Sequence, residues 1–122
     1  ETLPEPSLYL EAELGLDRVD FPLVKELELL QPFGAGNPEP LFCSKPLRVQ
    51  RHKVFKEHHV SLELRDEQAG KTMQGKAWRQ AETLGPQVSG QNVRLAFTPR
   101  RNTYNGLVGI DLQIRDCRLL SE

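Results

Sequence analysis

Three stretches of the chain alternate apolar and polar residues with a period of two, and this pattern constrains the fold more than any other feature. In HHVSLELR (58–65), Val60, Leu62 and Leu64 fall in one phase, and His59, Ser61, Glu63 and Arg65 in the other. In NVRLAFTP (92–99) the apolar phase is Val93, Leu95 and Phe97; in LVGIDLQIR (107–115) it is Val108, Ile110, Leu112 and Ile114. Successive strand side chains point to opposite faces, so such segments bury one face and wet the other. LRVQRHKVF (47–55) reads as a less regular first strand, and KTMQGKAW (71–78) as the third. DEQAGK (66–71) supplies a turn, RQAETL (79–84) a helical turn or two closed by Gly85-Pro86, and RRNTYNG (100–106) an Asn-Gly hairpin. The expected fold is mainly β: a five-stranded Greek-key barrel of the OB type with a short helix after strand three. An SH3-like barrel or a split sandwich has the same strand count; the helix favours the OB-fold.

Ahead of the barrel the period lengthens to about 3.6. Asp20 precedes Phe21-Pro22, an N-cap followed by proline in the first helical turn. A short amphipathic helix is expected over 21–31, with Leu23, Val24, Leu27 and Leu30 on one stripe. Before it, Pro4 and Pro6 lead into Leu8, Leu10, Leu14 and Leu16, which suggest a strand or extended arm turning at Gly15. The stretch QPFGAGNPEPLF (31–42) follows. A phosphate-cradling loop follows a strand and opens a helix, whereas this one ends a helix and leads into a strand. Gly34 and Gly36 suit a helix exit with positive φ, and Pro38 and Pro40 hold the chain extended. The expected organisation is a strand-and-helix tail of a neighbouring domain (1–31), a semi-rigid linker (32–42) and the barrel domain (43–122).

Net charge is −1, but residues 1–42 carry two basic and nine acidic side chains, a net of −7, and residues 43–122 a net of +6. Such asymmetry points the second part toward a polyanion. Arg51, Lys53 and Lys56 crowd the end of the first barrel strand. Lys76 and Arg79 flank Trp78, and Arg94, Arg100 and Arg101 lead toward the hairpin tip that carries Tyr104. Cations hold phosphates and rings stack on bases, the combination a single strand needs. These cations, with His59 and Tyr104 to contact bases or sugars, are the candidate nucleic-acid-binding residues. Phe97 lies in the apolar phase and belongs to the core; Trp78 is expected half-buried at its strand end.

Catalytic signatures are missing: there is no Gly-x-Ser-x-Gly elbow, His-Glu-x-x-His motif or Walker loop. His58 and His59 are adjacent on a strand and so point apart, which argues against a shared metal. No catalytic residue, cofactor or metal ligand is therefore assigned in these residues. Cys43 and Cys117 lie far apart and read as reduced thiols of a cytoplasmic protein. No apolar run reaches the roughly 20 residues that cross a bilayer, so no membrane role is expected.

PFGAGNPEPLF (32–42) resembles the Pro-Phe-Gly-x-x-Asn-Pro-x-Pro-x-Phe signature of RecJ-type single-stranded-DNA-specific exonucleases. LYLEAELGLDRVDFPLVKELELL (8–30) is similar to the strand and helix before that signature. HVSLEL (59–64) is similar to the family's His-Leu-Lys-Leu strand, departing at Val60 and Ser61, and NTYNGLVGIDLQIRD (102–116) to its ending. KAWRQA (76–81) departs from the family pattern around Ala77 and Trp78. The resemblance implies a carboxy-terminal piece of such an enzyme: the end of the nuclease core plus an OB-fold domain that grips and guides single-stranded DNA without cutting it. It implies a parent 5′–3′ exonuclease of DNA repair and recombination that uses manganese or magnesium held outside these residues. The alternative is a protein-interaction module whose basic surface receives an acidic tail, such as that of a single-strand-binding protein.

Overall fold

The computed structural model describes residues 10–120; Pro4, Pro6 and Leu8 lie outside them. Seven strands form one sheet: β1 (Leu10–Leu14), β2 (Leu41–Ser44), β3 (Leu47–Phe55), β4 (His59–Asp66), β5 (Lys71–Ala77), β6 (Asn92–Tyr104) and β7 (Leu107–Leu119). The strand order is β1-β2-β6-β3-β4-β5-β7, and β6 also pairs with β7, so β3 to β7 close into a five-stranded barrel. β5 and β7 run parallel and the other barrel pairs are antiparallel. This is the OB arrangement, and its five strands are those expected from the sequence, three of them from strict alternation.

The apolar phases fill the barrel. Val60, Leu62, Leu64, Val93, Leu95, Phe97 and Leu112 are fully buried. Gly75 lies among them because a Cβ there would come within 2.8 Å of both Leu64 and Ile114. Val108 is the exception, exposed because β6 and β7 continue past the barrel as a two-stranded hairpin with no sheet behind it. Its turn uses Asn105 and Gly106, both at positive φ, as the Asn-Gly signal demands. The helical element expected after the third barrel strand is a single turn, with the Leu84 N–H bonded to the Gln80 carbonyl, then a 3₁₀ helix over Pro86–Val88.

β2 and β3 form one interrupted strand along β6. Cys43 faces Ala96 and Leu47 faces Val93, so the β2–β3 side carries one extra residue around Pro46. The Leu95 N–H that loses its ladder partner donates to Ser44 Oγ at 2.9 Å, in a buried setting. A buried donor without a partner costs about 1–3 kcal/mol, so the serine keeps the irregular join inexpensive.

Helix α1 spans Phe21–Glu28, shorter than the expected 21–31, and Asp20 caps it by accepting from the Leu23 N–H at 3.0 Å. Val24 and Leu27 are buried, whereas Leu30 lies beyond the helix and half in water. Leu16, Val19 and Leu27 belong to the same buried cluster as the barrel residues. β1 extends the sheet by pairing parallel to β2. Asp66 at the end of β4 accepts from the Leu16 N–H at 2.9 Å and the Ala69 N–H at 3.1 Å. Lys71 donates to the Val19 carbonyl at 3.0 Å. The residues set apart as tail and linker thus pack on the barrel's own core.

The expected positive φ at Gly34 and Gly36 is not found; the positive-φ glycines are Gly70, Gly90 and Gly106. The helix exit is closed instead by a two-way backbone pairing of Gly34 with Asn37, and the Asn37 side chain donates to the Pro32 carbonyl at 3.0 Å. The asparagine amide does the work that a left-handed glycine would have done.

Candidate nucleic-acid interface

The outer face of β3, β4 and β5 is built by the polar phase of the alternation. Pairing sets Phe55 beside His59, Lys53 beside Ser61 and Arg51 beside Glu63; Ser61 in turn faces Lys76, and Glu63 faces Gln74. At one end of this face the first aromatic rings meet. Phe55 closes β3, His59 opens β4, and Trp78 follows the last residue of β5. Their ring centroids lie 5.4 Å apart for Phe55–His59, 5.4 Å for Phe55–Trp78 and 4.7 Å for His59–Trp78, all tilted or edge-on. Trp78 is 46% exposed, and its Nε1–H donates to Gln113 Oε1 at 2.6 Å, which fixes the ring's orientation.

The backbone around the trio is held in unusual conformations. Lys56, Glu57 and Arg79 all have positive φ, three of the four non-glycine residues that do so among the described residues. Such positions cost roughly 1–2 kcal/mol each and persist only where the surroundings impose them. Two bonds link the loops: the Arg79 N–H donates to His59 Nδ1 at 2.8 Å, and the Ala81 N–H to the His58 carbonyl at 3.1 Å. The first requires a lone pair on Nδ1, hence a neutral imidazole. Desolvation holds the His59 pKa below its ordinary value, and the nearby His58, Arg79 and Lys56 lower it further.

The candidate cations separate into two groups. Lys53, Lys56 and Arg79 are exposed around the trio and carry no carboxylate partner among the described residues. The others are paired: Arg51 with Glu63 at 3.5 Å, Lys76 with the buried Asp111 at 3.2 Å, and Arg94 with Glu13 at 3.8 Å. Arg101 makes a two-pronged contact with Glu28 at 2.9 and 3.1 Å and lies 5.6 Å from the Phe21 ring centre. Arg100 binds Glu39, which Arg115 also binds at 3.0 Å. Glu13, Glu28 and Glu39 all belong to the acidic first third, so part of the charge asymmetry is answered within the molecule.

Tyr104 is 72% exposed on the hairpin turn and makes no ring contact among the described residues, so the structure does not bring it to the trio. Phe55 was missed as a surface ring, whereas Trp78, expected half-buried at its strand end, is 46% exposed. Phe55 is in register with His59 on the wet face, a signal readable once the β3–β4 turn is placed at residues 56–58. Among the described residues no group of three or more His, Cys, Asp and Glu could hold a metal ion, and no helix is long and apolar enough to cross a membrane. Cys43 and Cys117 are free and half-buried; burial raises both thiols, that of Cys117 to about 12.

Residues 10–116 match the family described as the RecJ OB domain. The chain is 28% identical over 118 residues to the single-stranded-DNA-specific exonuclease RecJ of Thermus thermophilus, covering 97% of this chain and 15% of that protein. It is similar to two crystal structures of RecJ from the same organism. The complex with Mn2+ matches at 28% identity and the complex with Mg2+ at 29%, both with a TM-score of 0.58 over 82% of this chain. The match spans 14% and 15% of those chains, so most of the relatives' length lies outside it.

Proposed function

The chain belongs to the RecJ OB domain family, and on that premise we propose that it binds single-stranded DNA across β3, β4 and β5 and guides it without cutting it. The carrying observation is the Phe55–His59–Trp78 cluster on the outer barrel face, ringed by Lys53, Lys56 and Arg79. An exposed aromatic surface stacks bases whatever their identity, and unpaired cations at its rim take up phosphates. An acidic protein tail would satisfy the cations but leave the rings without a stacking partner. The parent protein, on this reading, is a 5′–3′ single-strand exonuclease of DNA repair and recombination in the cytoplasm. Its manganese or magnesium would be held by residues outside this chain.

The single tryptophan provides the test. Titration with oligothymidylate quenches Trp78 fluorescence as a base stacks on it, and affinity falls steeply as salt rises. An acidic peptide competes weakly. Salt-sensitive binding of the peptide with no quenching by the oligonucleotide would overturn the proposal in favour of a protein-tail ligand.

A further inference from the structure

Beside the aromatic trio the outer face continues onto β7 and β6. A groove there is lined by Trp78, Gln80, Arg100, Gln113, Ile114 and Arg115. Gln113 joins the two regions, since it holds the Trp78 indole at 2.6 Å and faces Thr98 of β6. The two guanidiniums of this groove converge on one carboxylate. Glu39 Oε1 accepts from Arg115 Nη2 at 3.0 Å, and Oε2 accepts from Arg100 Nε at 3.2 Å and from its Nη2.

The burial is unequal. The Glu39 side chain is 12% exposed, whereas Arg100 and Arg115 are 48% and 54% exposed. The arginines thus reach from the open surface toward an acid seated behind them. Pro38 and Pro40 flank Glu39 and restrict its backbone, while the carboxylate itself is held by the two arginines. The Thr98 hydroxyl reinforces the backbone restriction by donating to the Pro40 carbonyl at 2.8 Å.

Arginine forks bind carboxylate and phosphate through the same paired N–H geometry. We infer that Arg100 and Arg115 form a backbone-phosphate subsite for the strand leaving Trp78, and that Glu39 occupies it as an internal stand-in until DNA displaces it. The inference rests on the proposed strand path over the trio. It gives the joint that carries Glu39 a second role: the free protein keeps the subsite shaped, with its two positive charges reduced to one. Weak anions are then refused, and the subsite opens only to a phosphate delivered by a strand already stacked next to it.

The test compares Glu39→Gln with Glu28→Gln, which removes the same charge from the Arg101 pair on the helix side. Glu39→Gln is expected to bind oligothymidylate about tenfold more tightly, the range of a charge-assisted contact, with a salt slope steeper by about one. Glu28→Gln is expected to change affinity less than about twofold, as an exposed pair does. Arg115→Ala, on an exposed side chain, flattens the wild-type slope by about one and keeps the assay informative should Glu39→Gln not fold. Equal gains from both glutamine variants reduce the effect to bulk charge and overturn the subsite. So does a folded Glu39→Gln with unchanged affinity, or an unchanged slope in Arg115→Ala. Those results leave stacking on Trp78 intact; absence of any oligothymidylate binding in wild type and in Glu39→Gln overturns both.

Discussion

His59 joins two jobs at the residue scale: it is one half-buried ring of the surface cluster, and its Nδ1 anchors the Arg79 loop. Desolvation first, and then neighbouring cations, lower its pKa below 6.5. In the window between the lowered folded value and 6.5 the unfolded chain binds more protons, so stability rises with pH there. The contribution is fully present above 6.5 and is lost as pH falls through the folded value. An NMR titration of the His59 ring should give a midpoint below 6.5 in the free protein; a midpoint at or above it contradicts the packing described. Phe55→Ala should weaken oligothymidylate binding by about 1–3 kcal/mol in anisotropy titrations, whereas Tyr104→Ala should cost well under 1 kcal/mol, because Tyr104 stands apart from the trio. The sequence pointed to the cations and to His59. It did not show that Arg51, Lys76, Arg94, Arg100 and Arg101 would meet acids, since every partner except Glu63 of Arg51 and Asp111 of Lys76 lies before the barrel.

Elements were legible where the pattern was local. The strand over 59–66 matches its expected bounds within a residue because alternation is a property of neighbours, and the less regular strand over 47–55 keeps its expected bounds as well. Helix α1 began where Asp20 and Pro22 placed it. It ended early because residues 29–31 leave the helix before the Gly34–Asn37 pairing, a contact that periodicity does not encode. The join of β2 to β3 was likewise hidden, since one extra residue matters only when β6 lies alongside. Ser44→Ala leaves the buried Leu95 N–H unpaired and should destabilise the fold by about 1–3 kcal/mol in chemical denaturation. A change within error would mean that water or a shift of β6 satisfies the amide.

For the whole molecule, the acidic first third and the basic remainder are halves of one packed unit as well as halves of a charge distribution. Asp66, 1% exposed, ties Leu16 to the end of β4 and so couples the leading segment to the barrel. Asp66→Ala should cost about 1–3 kcal/mol in thermal unfolding and speed hydrogen exchange at the Leu16 amide ahead of the barrel core. Exchange that rises equally in both places would show that the segment unfolds only with the barrel. The sequence by itself determined a mainly β chain, the five barrel strands, the capped helix and a pool of cations, because periodicity, capping and turn chemistry act between neighbours. Only the tertiary structure decided which cations remain open. Arg100, Arg101 and Lys53 look alike in sequence, but Glu39 and Glu28 reach the first two from about 60 and 70 residues away, a proximity that only chain folding creates. The tertiary structure also brought Phe55, His59 and Trp78 together, from three strand ends that share one edge of the barrel.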